Sequence, residues 1–571
     1  MYQTRLKLVL CWHMHQPWYR EDLNGEFRLP WVYLHALKDY SDMAAHLEAH
    51  PGMRAVVNFT PVLLEQLEDY GHQLNAWLAH RQPMADPMLN LLAGAMPLPS
   101  ELAEREKLLR DCLRAHAPTM VEVHPVFVQL LAPVWRVGMV EPDYHLMPYL
   151  NDQYLLDVLT WYHLAWLGHS LRQHPVVERL IAQGSQYDDE LRQELLSLMA
   201  EVIGGLIGRY KELAERGQIE LSVTPYSHPI LPLMIDFKSA QCAAPDAPLP
   251  EYPRYPGGLE SADWQLEHGI AVFERFFGFR PEGMWLSEGA ISGEAVELLP
   301  KHGIQWTASG EGVWHGSSVL SGLEHNTTAS RRCLFSPHRL PDGETRLFFR
   351  DDGLSDLIGF QYKDWRAEDA ADDFLRHLHN IARFLNGEAK QHVVSVILDG
   401  ENAWEYYPDN GFHFLGALYE RLAKDTLVEV TTFSEVIDQI EPLELPRLCA
   451  GSWVHGSFST WIGDPDKNLA WDRLVEAKEI YDCVMAEGSL SPEETERARL
   501  QLAICEGSDW FWWFGDYNPS DSVRDFDELY RYQLRDLYQK LRQEAPANLD
   551  EPLSIGGGHV ENAGTMRRGH E

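Results

Sequence analysis

A single run of residues limits the folds open to this chain of 571 residues more than any other stretch. Residues Val393 to Leu398 are all apolar except Ser395, and Asp399 follows them directly. A strand with one exposed face would alternate apolar and polar residues, so this run predicts a strand buried on both faces, as in a parallel sheet. Asp399 then stands at the carboxyl end of the strand, the edge at which such barrels and open sheets carry their chemistry.

A second stretch repeats this layout. Asp399 is followed by Gly400, Glu401 and Trp404, and residues 283–289 likewise combine a short apolar segment, Trp285 and Glu288. A lone acidic residue after a strand is more often a helix cap or a solvated loop residue. Two carboxylates at two strand ends, each beside a Trp, instead favour a pair acting on one glycosidic bond, because indole faces stack on sugar rings.

The first predicted strand leads into two histidines. Strand Leu6 to Trp12 ends at His13-Met-His15-Gln-Pro. Residues two apart on a strand face the same side, so both imidazoles can reach one site. They are candidates for hydrogen bonds to a sugar, and less so for a metal, because no third ligand stands in a motif of its own.

The order of elements predicts the fold class. Strands and helices alternate along the chain, which predicts an α/β protein with seven or eight parallel strands in a distorted barrel of the (β/α) type. We expect this catalytic unit over residues 1–445, with a helical insertion at about 74–217. The predicted strands are Leu6–Trp12, Arg54–Thr60, Ile219–Val223, the segment before Glu288, Ile304–Ala308, Arg346–Arg350, Val393–Asp399 and Val428–Thr431.

Residues 446–550 form a second predicted unit that is mainly helical. Helical spacing predicts three helices, at about 468–487, 492–514 and 521–543. The aromatic cluster at 509–515 ends the middle helix and is interpreted chiefly as core packing. Residues 551–571, which contain three consecutive glycines and no periodicity, are predicted to be a disordered tail.

Charge and cysteine content exclude several classes of partner. There are 48 Lys and Arg against 86 Asp and Glu, a net charge of −38, which disfavours nucleic acid and anionic membranes and fits a neutral polar substrate.

The seven cysteines are scattered without a C-x-x-C pair, so we expect neither a disulfide framework nor a cysteine zinc site. This cysteine usage is typical of a protein in a reducing compartment. With no signal-like N-terminus or membrane span, the expected location is the cytoplasm.

Five ordered motifs resemble those of glycoside hydrolase family 57, a family of retaining enzymes that act on α-glucans. They are His13-x-His15-Gln-Pro, Gly217-Gln-Ile-Glu220, Trp285-Leu-Ser-Glu288, Asp399-Gly-Glu-Asn-x-Trp404 and Trp453-x-His455-Gly-x-Phe458. The resemblance spans about residues 6–515. It implies an incomplete (β/α)7 barrel with a helical insertion and a C-terminal helical bundle that completes the cleft.

The resemblance also implies roles for individual residues. Glu288 matches the nucleophile and Asp399 the general acid/base. Asp399 should therefore be protonated, with a pKa raised by Glu288 and Glu401, while Glu288 is ionised. The remaining substrate-binding candidates are His13, His15, Glu220, Trp285, Glu401, Trp404, Trp453, His455, Trp461 and Asp464. No cofactor or metal is expected.

Several functions stay as alternatives. The form of the Asp399 motif is most similar to the amylase and amylopullulanase branch, which implies hydrolysis of α-1,4 bonds, with α-1,6 bonds as further targets. Gly289 stands where branching enzymes of the family have Cys, which argues against branching, yet 4-α-glucanotransferase and branching activities use the same carboxylates. A metal-dependent deacetylase or mannosidase using His13, His15 and an Asp, and a non-catalytic glucan-binding protein, complete the set. The oligomeric state is left open.

Overall fold

The structure is a computed structural model that describes residues 5–139, 142–323, 327–385 and 391–558. Its sheet residues fall in nine strands within these ranges. The strands are β1 (Leu6–Met14), β2 (Ala55–Phe59), β3 (Ile219–Val223), β4 (Trp306–Ser309), β5 (His338–Arg339), β6 (Arg346–Phe349), β7 (Val393–Asp399), β8 (Val428–Val430) and β9 (Leu443–Glu444).

Six of these strands and one short segment close into a barrel. β1 pairs in parallel with β2 and β7, β2 with β3, and β4 with β6. Three isolated parallel bridges complete the ring: Val223 with Met284, residue 283 with Trp306, and Arg350 with Ser395. The described chain thus forms a seven-membered parallel ring, which confirms the predicted (β/α)7-type barrel.

The strand predicted before Glu288 is reduced to those bridges. Gly283 passes so close to Trp306 that a Cβ at position 283 would lie 1.8 Å from the indole ring. The chain then turns at Glu288, whose φ of 60° lies in the left-handed region. Close packing on one side and this turn on the other leave no room for a longer strand.

One further prediction about the sheet needs correction. The predicted strand at 428–431 is β8, which pairs with residues 6–8 of β1 and lies outside the ring. The predicted strands all pair in parallel, as expected; β5, which was not predicted, pairs antiparallel with β6 at His338 and Leu347.

Helices between β2 and β3 form the insertion. Its last helix ends at Glu215, and Gly217 follows with a φ of 70°, as a C-terminal glycine should. These helices are α3 (Pro61–His80), α4 (Pro87–Ala93), α5 (Leu102–Cys112), α6 (Pro125–Leu131), α7 (Asp152–Ala165), α8 (His169–Arg172), α9 (Pro175–Gln183) and α10 (Asp189–Glu215); α1 (Trp31–His35) and α2 (Ser41–Ala49) precede β2.

The helices after β3 surround the rest of the barrel. They are α11 (Leu231–Ile235), α12 (Ala240–Ala243), α13 (Gly258–Phe277), α14 (Gly293–Leu298), α15 (Glu311–Leu320), α16 (Thr328–Leu334), α17 (Asp352–Asp356), α18 (Ala367–Phe384), α19 (Phe412–Lys424) and α20 (Phe433–Ile437). In the part of the chain that the structure describes, no helix has the length and apolar character needed to cross a bilayer.

The C-terminal region contains α21 (Pro465–Glu487), α22 (Pro492–Cys505), α23 (Asp509–Trp513) and α24 (Ser520–Lys540). The predicted helix at 492–514 is therefore two helices. The break lets the backbone N–H of Ser508 donate to the carbonyl oxygen of His228, at 3.0 Å. The Ser508 hydroxyl lies 2.8 Å from His228 Nδ1. This contact with the barrel directs α23 toward the strand ends.

The first part of the predicted tail is packed against the protein, which corrects the prediction for residues 551–558. Leu553 and Ser554 are buried, and the Ser554 hydroxyl donates to Asp466 at 2.8 Å. Gly558 forms a bridge with Pro519. Residues 551–558 thus belong to the packed structure, because they complete the surface of α21 and α24. The rest of the predicted tail lies outside the described residues.

Candidate active site

A cavity of about 790 Å³ opens at the carboxyl ends of β1 and β7. Barrel residues His13, Glu288 and Asp399 line one part of its wall, and Trp453 and Asp509 from the C-terminal region line another. The barrel positions the first three because parallel strands all end at the same edge. The two catalytic candidates from the sequence therefore face one shared space.

Glu288 is held in a strained turn. Its φ of 60° is uncommon for a residue with a side chain, and such strain is typical of functional sites. The backbone N–H of Trp453 donates to the Glu288 carbonyl oxygen at 3.1 Å, and the Trp453 indole Nε1 donates to Glu288 Oε2 at 2.8 Å. These two bonds fix both the backbone and the carboxyl group.

The surroundings of Glu288 favour its protonated form. Burial raises the pKa of the Glu288 carboxyl well above its usual value, and the negative charge of Asp399 raises that pKa further. Asp509 acts in the same direction, while the Trp453 hydrogen bond opposes it. These surroundings therefore do not support the expectation that Glu288 is ionised while Asp399 is protonated.

Asp399 ends β7, where it lies opposite His13 in the parallel register. Burial raises its pKa, while the Asn402 amide, which donates to Asp399 Oδ2 at 2.9 Å, lowers it, as do His15 and Arg350. Two neighbouring carboxyls with raised pKa values readily share one proton, since like charges resist joint ionisation. One protonated and one ionised carboxyl is the pair that acid-assisted nucleophilic displacement requires.

A cluster of three histidines adjoins this pair. His13 Nε2 lies 3.2 Å from His228 Nε2, and the His15 ring stacks on the His228 ring with centroids 3.8 Å apart. Burial and the neighbouring His15 lower the pKa of His13 to about 3, and burial places the pKa of His228 well below its usual value. Both rings are therefore neutral near pH 7.

The same cluster bears on metal binding. One nitrogen from each of the three histidines lies within 4.8 Å of the others, so His228 is a third candidate ligand that no sequence motif indicated. However, the His15 ring faces the His228 ring at an interplanar angle of 18°, and stacked rings do not aim their in-plane lone pairs at one point. As arranged, the rings are better placed for hydrogen bonding than for shared coordination.

Asp509 connects the C-terminal region to this cluster. His15 Nε2 lies 2.9 Å from Asp509 Oδ1, and His15 Nδ1 lies 3.0 Å from the Thr60 hydroxyl. The imidazole is therefore held at both ends. Sequence reasoning missed Asp509 because it counted this residue as part of an aromatic helix end.

Glu401 lines the cavity as predicted but is only 2% exposed. Its Oε1 accepts long hydrogen bonds, both 3.4 Å, from the His15 backbone N–H and from Gln16 Nε2. Burial raises the pKa of Glu401 well above its usual value, and Asp399 and Asp39 raise it further. A neutral Glu401 can accept and donate hydrogen bonds at the cavity wall.

Glu220 does not reach the site, which corrects the sequence prediction. It lies at the amino end of β3, whereas the cavity lies at the carboxyl ends of the strands. Its carboxylate accepts hydrogen bonds from Trp306 Nε1 at 2.6 Å and from Ser434, by the hydroxyl at 2.6 Å and the backbone N–H at 3.1 Å. Glu220 therefore ties α20 to the bottom of the barrel.

Five more predicted residues lie outside the cavity lining. Trp285, Trp404 and Trp461 are at most 1% exposed, so they belong to the core beneath the residues that line the cavity. Asp464 caps α21, where its carboxylate accepts from the Asp466 backbone N–H at 2.9 Å. His455 is exposed with a φ of 55°, at the turn that follows Trp453. Any effect of these five residues on the site therefore passes through the residues that line the cavity.

Aromatic residues that the sequence analysis did not assign to the site do line it. Trp512 and Trp513 of α23 face the cavity, while Trp510 and Phe511 of the same helix pack in the core. The predicted packing role is thus correct for only part of the cluster. Trp31, Trp166, Phe360 and Tyr406 add further aromatic lining. Rings distributed in this way suit a chain of several sugar units.

Comparison with known proteins agrees with this geometry. The model of glycosyl hydrolase family 57 matches residues 9–448. A 1,4-alpha-glucan branching enzyme of Thermococcus kodakarensis is 25% identical over 125 residues, 21% of this chain and 15% of that protein. A putative alpha-amylase of Methanocaldococcus jannaschii is 27% identical over 148 residues, 24% of this chain and 30% of that protein. The matched segments thus span less than a third of either relative.

Solved structures share the fold over nearly their whole length. The branching enzyme from Thermococcus kodakaraensis has a TM-score of 0.59 at 16% identity, with 96% of this chain and 94% of that chain covered. A branching enzyme from Pyrococcus horikoshii gives 0.58 at 16% identity, with 98% and 100% covered. An alpha-amylase from Thermotoga maritima gives 0.57 at 15% identity, with 95% of each chain covered.

Proposed function

Because this chain belongs to glycosyl hydrolase family 57, we propose that it is a retaining enzyme that cleaves α-1,4-glucosidic bonds of starch- or glycogen-type polysaccharides. The observation that carries the proposal is the pair Glu288 and Asp399, which line one cavity and whose burial raises the pKa of both carboxyls. The aromatic rings that line the cavity suit the apolar faces of the sugar units of a neutral glucan.

In the proposed first step, Glu288 attacks the anomeric carbon while Asp399 donates its proton to the departing glycosidic oxygen. The C–O bond to the leaving sugar breaks as the bond to the Glu288 carboxylate forms. A substrate that fills the cavity displaces water, and Trp453 then stabilises the ionised Glu288 through its indole N–H.

In the second step, Asp399, now ionised, takes a proton from water, and the resulting nucleophile releases the sugar from Glu288. Two inversions at the anomeric carbon retain the α configuration. A sugar hydroxyl can replace water in this step, and the aromatic rings Trp512 and Trp513 offer a place for an acceptor chain. Transfer to a second glucan, as in a 4-α-glucanotransferase or branching enzyme, is therefore the second candidate, and the branching enzymes among the similar proteins favour keeping it.

The test is product analysis of the wild type and Glu288→Gln on soluble starch, glycogen and pullulan, with and without a chelator. We expect chelator-insensitive formation of α-maltooligosaccharides by the wild type and none by Glu288→Gln. Longer or newly branched products would identify transfer. Activity that is lost with chelator and restored by zinc would instead assign the chemistry to the three histidines and overturn the proposal.

A further inference from the structure

Two cysteines that are 207 positions apart in sequence meet at the surface. The Sγ atoms of Cys242 and Cys449 lie 3.2 Å apart, within hydrogen-bond distance for sulfur. Cys242 is in the four-residue helix α12 and is exposed, whereas Cys449 is buried at 6% exposure. We propose that Cys242 and Cys449 are an oxidation site. A small-molecule disulfide oxidises the two thiols reversibly to an intramolecular disulfide.

The surroundings of Cys449 hold its sulfur in place for this reaction. The Cys449 backbone N–H donates to the Ser317 hydroxyl at 2.9 Å, and a Cβ on Gly316 would lie 3.3 Å from Cys449 Sγ. Because Cys449 is also only 6% exposed, its side chain has little space in which to turn away. A disulfide needs a sulfur separation of about 2.05 Å, so closing the pair takes a movement of about 1 Å. The short exposed helix that carries Cys242 can supply it.

The two thiols differ in reactivity in a way that sets the order of steps. Burial, together with the hydrogen bond from Cys242, raises the pKa of the Cys449 thiol to about 12, so Cys449 is protonated at neutral pH. The exposed Cys242 is therefore the group that meets an oxidant first.

The reaction balances with oxidised glutathione as the oxidant. The Cys242 thiolate attacks one sulfur of glutathione disulfide, which releases one glutathione thiolate and leaves a mixed disulfide on Cys242. Cys449 loses its proton to solvent and attacks the Cys242 sulfur, which releases the second glutathione. Two protein thiols are oxidised to one disulfide, and one glutathione disulfide is reduced to two glutathione molecules.

The location of Cys449 connects this site to catalysis. Two residues further along, Gly451 forms an antiparallel bridge with Ile291, with N–O distances of 2.9 and 3.1 Å. Trp453 then bonds twice to Glu288. Oxidation would therefore anchor the segment that holds the proposed nucleophile to α12. Because that segment is already in its working position, we expect a longer half-life on heating and an activity within about threefold of the reduced form.

The experiment uses the full chain, reduced, desalted and incubated with oxidised glutathione at pH 8.5. Remaining thiols are blocked, and non-reducing peptide mapping by mass spectrometry locates each bond. We expect one cross-linked peptide joining Cys242 to Cys449, the loss of two hydrogen atoms from the intact mass, and complete reversal by dithiothreitol.

Single variants make the assignment specific. Cys242→Ser should abolish the cross-link, while Cys483→Ser, which removes another exposed thiol, should leave it unchanged. Circular dichroism confirms that each variant is folded. Glutathione adducts on Cys242 without the cross-link, or a cross-link to any other cysteine, would overturn the proposal. Heat inactivation that is equally fast with and without the cross-link would overturn its stabilising role.

Discussion

Trp453 bonds to Glu288 twice, through its backbone N–H to the carbonyl oxygen at 3.1 Å and through its indole Nε1 to the carboxyl Oε2 at 2.8 Å. Residue 453 lies after the last strand and residue 288 lies within the barrel. The C-terminal region therefore takes part directly in the proposed catalytic site. The first prediction follows from the indole bond alone.

Trp453→Phe keeps an aromatic ring at this position but removes the indole N–H that donates to Glu288. We expect kcat/KM to fall by about 10- to 100-fold, since a hydrogen bond to a charged group contributes about 1.5–3 kcal/mol. That bond lowers the pKa of Glu288, so its loss raises this pKa and moves the acidic limb of the pH profile to higher pH. Trp365→Phe, at an exposed Trp, is the matched control and should behave as wild type. An unshifted acidic limb in Trp453→Phe would contradict the role of Glu288 as the ionised group.

Asn402→Ala tests the proton donor. The Asn402 amide donates to Asp399 Oδ2 and thereby lowers the pKa of Asp399. Its removal should raise that pKa, keep Asp399 protonated to higher pH and move the alkaline limb of kcat/KM upward. Asn75→Ala removes an amide that donates to the nearby Gly71 carbonyl in α3, away from the cavity lining, and should leave the profile unchanged. A downward movement of the alkaline limb would argue against Asp399 as the acid.

Asp509→Asn probes the charge that the C-terminal region brings to the site. Asp509 raises the pKa of both Glu288 and Asp399, so removing its charge should move both limbs of the pH profile to lower pH. The measurement is kcat/KM against pH on a soluble maltooligosaccharide. Asp464→Asn serves as the control, because asparagine caps a helix as well as aspartate and Asp464 lies outside the cavity lining. If Asp464→Asn moved both limbs as far as Asp509→Asn, the shift would come from the lower net charge of the protein, and the specific role of Asp509 would be contradicted.

Glu220→Gln separates a structural role from a catalytic one. It disturbs the hydrogen bonds with Trp306 and Ser434, so we expect the free energy of unfolding to fall by about 1–3 kcal/mol. Activity at 25 °C should stay within about twofold of wild type, because Glu220 lies at the other end of the barrel. Thermal unfolding and kcat/KM provide the two readouts, with the exposed Glu282→Gln as control. A large loss of kcat/KM in a fully folded Glu220→Gln variant would show that Glu220 contributes to the active site after all.

The stereochemical course tests the double displacement. Proton NMR of the first products released from a maltooligosaccharide should detect the α anomer before mutarotation, because each of the two steps inverts the anomeric carbon. The β anomer as first product would show a single displacement, in which Glu288 activates water and forms no covalent bond.

The sequence predicted a large part of this arrangement. The run at 393–398, apolar except for Ser395, predicted a fully buried parallel strand, and β7 is that strand. The positions of His13 and Asp399 at strand ends placed both at one edge, where they do lie. Such signals are readable because burial and strand termini leave a local pattern in the residue order.

Other parts of the site have no such pattern. Asp509 and Trp512 reach the cavity because α22 ends early and Ser508 bonds to the buried His228 behind it. Glu220, although in a motif, points to the other end of the barrel because its strand has barely begun at that residue.

The sequence by itself determined which strands are buried, where they end and which carboxylates stand at those ends. Only the tertiary structure decided which distant segments meet there: that Trp453 holds Glu288, that Asp509 holds His15, and that Cys242 touches Cys449. The physical reason is that periodicity reports a residue's depth within its own element, whereas contacts between elements depend on how the whole barrel closes and on which helices then fill the remaining space.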